Sequence, residues 1–140
     1  MTILETVAPT APPPVSGQPS TTLLANAHDG VEARWLADRL TRGQASTILH
    51  VARDGQHVSA LLPLLRFFAP GLDIVNLPAW DCLPYDRISP TATIMAERLT
   101  ALGKLAAGQK PDRARLVLTT ANAVLQKVPP PETIAGAHLV

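Results

Sequence analysis

The chain has 140 residues, 46% of them apolar and 16% charged, enough to bury a core and too hydrophobic for a disordered protein. Its net charge of +1 comes from nine Arg and three Lys scattered against eleven acids, which argues against the clustered basic surface of a nucleic-acid binder. A lone cysteine, Cys82, excludes an internal disulfide and suits a reducing cytoplasm, and no apolar run approaches the ~18 residues of a membrane span.

Residues 1–22 are rich in Pro, Ser and Thr and carry one charge, Glu5. They have too little apolar content to repay ordering and read as a disordered tail, with neither the basic residues nor the apolar stretch of a secretory signal. An α/β unit is expected over 23–134. Asp29 is placed to cap a first helix, with Glu32 as capping-box partner and Val31, Trp35, Leu36 and Leu40 at helical spacing. Gly43 stands where the helix should end. The β-branched, mostly apolar run Thr47–Ala52 reads as a buried strand. Asp54 then caps a second helix that presents Val58, Leu61, Leu62, Leu65 and Phe68; Pro63 should kink it or move its start. Asp73–Leu77 is a second strand.

After the loop that follows, Ser89-Pro90 reads as a cap and first helical residue, opening a helix through Ile94, Met95, Leu99, Leu102 and Leu105 to Gly108. Arg115–Thr119 is a third strand, and Thr120 caps a short helix holding Ala123, Val124 and Val128 that Pro129-Pro130-Pro131 stops. Residues 135–140 read as the start of a further segment, with a strand begun at Ala137. Strands alternating with helices predict an α/β fold of three layers, a mainly parallel sheet flanked by helices. Three strands make a thin sheet, so the fold is expected to be an incomplete part of a longer protein.

No catalytic, cofactor or metal motif stands out. A phosphate loop needs glycines followed by a lysine and a hydroxyl. Gly103-Lys104 is followed by Leu105 inside a helical pattern, and no Gly-x-Gly-x-x-Gly occurs. The four histidines, His28, His50, His57 and His138, lie far apart, and Cys82 has no near partner, so no metal is expected. Asp54 with His57 reads as a helix cap and a first-turn residue. The informative stretch is Leu77-Pro78-Ala79-Trp80-Asp81-Cys82-Leu83-Pro84-Tyr85-Asp86, which holds one of two Trp and the only Tyr between two prolines. Three roles are open. Asp81 and Asp86 could form an acid–base pair, although Asp86 reads better as a turn cap. Trp80 and Tyr85 could stack nucleobases, against which stand two acids to one base, Arg87. Trp80, Leu83 and Tyr85 could pack the carboxyl edge of the sheet or meet a partner.

This stretch, with Ser89-Pro90 and then Ile94 and Arg98 on the next helix, resembles the N-terminal region of the bacterial transcription-repair coupling factors. A weaker second likeness is Leu116-Val117-Leu118 followed by Thr120-Ala121-Asn122-Ala123-Val124-Leu125-Gln126 and Pro129-Pro130. The resemblance marks Trp80, Leu83, Pro84, Tyr85, Asp86, Ser89 and Arg98 as a structural or partner loop. It implies a degenerate helicase-like domain similar to the helicase, or B component, of nucleotide excision repair. By that resemblance a decayed phosphate loop would lie near Gly30, within Ala27-His28-Asp29-Gly30-Val31-Glu32-Ala33-Arg34, where no Lys-Thr pair follows. The implied whole protein is a cytoplasmic ATP-driven DNA translocase that removes stalled RNA polymerase at lesions and recruits nucleotide excision repair. ATP, Mg and DNA would be met by its downstream motor. The A component of excision repair and RNA polymerase would be met by later domains. This segment would scaffold the repair module without catalysis, its first partner being the rest of its own polypeptide. Two alternatives stand beside this: an independent α/β binding module sharing only the fold, and a small hydrolase using Cys82 or the loop carboxylates.

Overall fold

The computed structural model describes residues 21–82, 89–107 and 113–136. The N-terminal tail, Leu83, Pro84, Tyr85 and Asp86 of the aromatic loop, Gly108 and the strand expected from Ala137 lie outside these. The elements run α1 (Asp29–Thr41), β1 (Thr47–Ala52), α2 (Gly55–Phe68), β2 (Asp73–Leu77), α3 (Ala92–Ala106), β3 (Arg115–Thr120), α4 (Ala121–Val124) and α5 (Pro131–Gly136). The strands form one parallel sheet in the order β1-β3-β2.

The strand period of two assigns the faces. Ile48, Leu116 and Ile74 lie side by side and turn to one face, where α1 and α2 cover them with Leu36, Leu40, Leu61 and Leu65. Val117 and Val75 turn to the other, where α3 meets them through Ala101. An α/β sandwich of three layers results, as expected. The third layer is partial: Leu49 and Val51 of β1 share the α3 face yet are 60% and 47% exposed. The β1 strand is therefore half-exposed rather than buried, because α3 packs on β2 and the neighbouring Val117 of β3 and does not extend over β1. Asp73 ties this side together, its carboxylate 2.7 Å from Arg115 Nε of β3 and 3.8 Å from Lys104 Nζ of α3.

Local chemistry explains most boundaries. Asp54 accepts the His57 N–H at 2.8 Å and caps α2. Thr120 accepts the Ala123 N–H and caps α4. Gly43, at φ +68°, takes the left-handed conformation that ends α1. Other expectations are corrected. Residue His28, not Asp29, precedes α1, with no side-chain cap, and Glu32 points away from the helix start. Val31 is exposed, off the buried stripe of α1. Pro63 sits inside an α2 that runs on through it, so it does not move the helix start. Thr91, not Ser89, caps α3, by accepting the Ile94 N–H, because the Asp81 carboxylate takes the Thr91 N–H and sets the chain's entry there. The buried positions of α3 are Arg98, Ala101 and Gly103, while Met95, Leu99 and Leu105 of the apolar stripe are exposed. Val128 lies beyond α4, and Pro131 opens α5 at its first position rather than stopping a helix.

Candidate functional site

The aromatic loop leaves the sheet at the carboxyl end of β2, where open α/β sheets place ligands. Its anchor is Arg98. Among the described residues this arginine is the largest fully buried side chain, at 1% exposure. Its Nη1 donates to the Pro78 carbonyl, and its guanidinium carbon lies 4.6 Å from the centre of the Trp80 ring. Trp80 is half-buried. Its face and one carbonyl take up a charge that burial would otherwise strand. Burial lowers the Arg98 pKa, and the group stays charged as arginines do. The Arg98 Nε and Nη2 atoms have no hydrogen-bond partner among the described residues.

The loop is pinned at two further points. Gln126 Oε1, beyond α4, accepts the Trp80 N–H at 3.0 Å. The Asp81 carboxylate accepts the Thr91 N–H at 3.2 Å. Hydrogen bonds from Thr91, its hydroxyl first and then its amide, hold the Asp81 carboxyl below the ordinary range. Thr119 Oγ1 donates to the Leu77 carbonyl at 3.0 Å and closes β3 onto β2 at this edge. Beside these contacts lies a cleft of about 370 Å³ lined by Asp54, Leu62, Leu77, Ala79, Glu97 and Asn122, among others. Its lining is mostly apolar and, among the described residues, includes acids and amides.

Of the residues the sequence marks, the structure brings Trp80 and Arg98 into contact. Ser89 is exposed and not the cap of α3. Leu83, Pro84, Tyr85 and Asp86 fall outside the described residues, and with them the Asp81/Asp86 pairing. Cys82 is a half-buried free thiol. Thr91 and Gln126 are anchors that sequence reasoning misses, although Gln126 belongs to the second stretch of likeness.

A second cluster runs against the expectation that the histidines stay apart. His50 of β1 turns toward α1 and α2 and meets Glu32, with Nε2 3.2 Å from Oε1. His57, in the first turn of α2, places Nε2 2.9 Å from Glu32 Oε2 and 3.6 Å from Asp29 Oδ1. Burial, the largest influence, holds the His50 pKa below its ordinary value; Glu32 opposes this and His57 adds to it. The fold closes the distance that separates these residues along the chain. Alternation along β1, which sets His50 on the face of Ile48 and Ala52, is the signal that could have found them.

No family model matches the chain, and no solved structure matches it significantly. Curated relatives do. A transcription-repair-coupling factor of Rickettsia bellii is 36% identical over 102 residues, 73% of this chain and 9% of the relative. Its counterpart in Rickettsia prowazekii is 28% identical over 96 residues, 69% of the chain and 8% of the relative. That of Escherichia coli is 27% identical over 111 residues, 79% and 9%. The chain thus spans less than a tenth of the length of these relatives. It is a distant homologue of one stretch of the transcription-repair-coupling factors, and that is the family its relatives support.

Proposed function

We propose that the chain is a non-catalytic α/β scaffold within the repair-recruitment module of a transcription-repair coupling factor. The carrying observation is the similarity to three such factors over 69–79% of the chain. The parent protein would remove stalled RNA polymerase at lesions and recruit nucleotide excision repair. The A component of excision repair and RNA polymerase would bind through later domains, and DNA, ATP and Mg through a downstream motor.

The absence of catalysis here has physical support. A helicase-like phosphate site uses a strand, a glycine loop with lysine and the free N–H groups of a helix start. Among the described residues no strand leads into α1, and its first turn carries the carboxylates of Asp29 and Glu32 around Gly30. Those two charges already complement the helix dipole and repel phosphate. Decay from an ancestor like the excision-repair helicase accounts for such a start. A hydrolase based on Cys82 has less support, because the two histidines that converge do so on Glu32.

The test is the gene itself together with calorimetry. Codons following Val140 should encode ATPase motor motifs, and Mg-ATP titrated into the chain should give no binding heat. A stop codon after Val140 would overturn the reading in favour of an independent binding module. Turnover abolished by Cys82→Ala would overturn it in favour of a hydrolase.

A further inference from the structure

We propose that Glu32, His50 and His57, with Asp29 as fourth ligand, form a zinc site that ties α1, β1 and α2 together. Candidate donor atoms of Glu32, His50 and His57 all lie within 4.8 Å of one another. Zinc bonds nitrogen and oxygen at about 2.0–2.2 Å, so a tetrahedral shell sets its ligand atoms about 3.3–3.5 Å apart. The separations here, 2.9 Å for Glu32–His57, 3.2 Å for Glu32–His50 and 3.6 Å for Asp29–His57, bracket that spacing. Glu32, His50 and His57 already converge, while Asp29, near His57, stands outside that group and would have to turn in as the fourth ligand.

The placement comes from regular structure. Asp29 and Glu32 stand three apart in the first turn of α1 and share a face. His50 sits mid-strand beside Leu118 of the central strand. The His57 backbone is held by the Asp54 cap. Three packed elements therefore present the ligands, none of them from a loop.

Hydrogen bonding alone leaves the cluster incomplete. His57 Nε2 bonds Glu32 Oε2, but His50 Nε2, though near Oε1, is buried with no hydrogen-bond partner among the described residues. Among the described residues His57 Nδ1 is also buried without one, and the ring meets Glu32 and Asp29 through Nε2 alone. A cation would engage the orphaned His50 nitrogen and the Glu32 carboxylate at once. Two carboxylates also balance the charge of a divalent ion. Entry is provided by a cleft of about 400 Å³ whose lining includes Asn26, Glu32, Trp35 and His50. With four protein ligands the site would be closed and structural, a clamp on the α1/α2 layer.

The experiment uses the whole chain without a histidine tag. Zinc is titrated in competition with a chromophoric chelator, and cobalt is used as a spectroscopic substitute. Expected are one ion per chain, a higher melting temperature with zinc, and a tetrahedral cobalt band without thiolate charge transfer. Glu32→Gln and His50→Gln should each weaken zinc by more than about tenfold, with far-UV circular dichroism unchanged in the metal-free variants. If a core variant fails to fold, Asp29→Asn, on an exposed side chain, should show the same weakening. No saturable zinc binding would overturn the proposal. So would undiminished binding in the folded variants, or a thiolate band placing the ion on Cys82.

Discussion

Arg98 and Trp80 depend on each other. The guanidinium has left water, and the indole face and the Pro78 carbonyl are its compensation. Trp80→Ala should therefore cost about 2–3 kcal/mol, below the full value of a buried tryptophan because the ring is half-exposed. Chemical denaturation checks this, and Asp81→Ala should move the midpoint less. His50 yields a pH prediction. Its folded pKa lies below the unfolded 6.5, so the unfolded chain takes up the proton first. Stability contributed by neutral His50 is complete above that value and is lost as pH falls from it toward the folded pKa. The groups facing it are Glu32 from α1, which opposes the shift, and His57 from α2, with Asp29 next to His57. With chelator present, the melting temperature should fall on acidification from neutral pH, and His50→Gln should flatten that dependence.

At the scale of elements, the helix starts are the sharpest test. Thr91 is the cap of α3, so Thr91→Ala should cost about 1 kcal/mol, whereas Ser89→Ala should change stability little. Equal effects in thermal melts would return the start to Ser89. Pro63 gives the opposite sign. Within α2 it cannot donate to the Ser59 carbonyl, and it is exposed. Pro63→Ala should restore that bond and raise stability by about 1–3 kcal/mol. The corrected helix starts share a cause. Ser89-Pro90 and Asp29-x-x-Glu32 are good local signals, but in each case a group outside the signal intervenes. Asp81 fixes the entry to α3 at Thr91, and two histidines draw Glu32 away from the helix start.

Across the whole molecule, helices cover one face of the sheet more completely than the other. Leu49 and Val51 lie on the open part, beside the Val117 and Thr119 register positions. Among the described residues no helix is long and apolar enough to cross a membrane. The α/β class, the three strands and the caps Asp54 and Thr120 were legible in the sequence. Each is set by interactions within a few residues: alternation of period two or 3.6, a side-chain oxygen three positions before the amide it accepts, a glycine at a helix end. Trp80 was legible as a rare aromatic fixed between two prolines, but Arg98 only through likeness to a family. The strand order, the buried side of α3 and the meeting of Glu32 with His50 and His57 were decided by the tertiary structure alone. These depend on pairings such as Glu32–His57, 25 residues apart, and Trp80–Gln126, 46 apart. The energy of such pairings resides in burial and charge compensation between elements, so spacing along the chain carries no record of it.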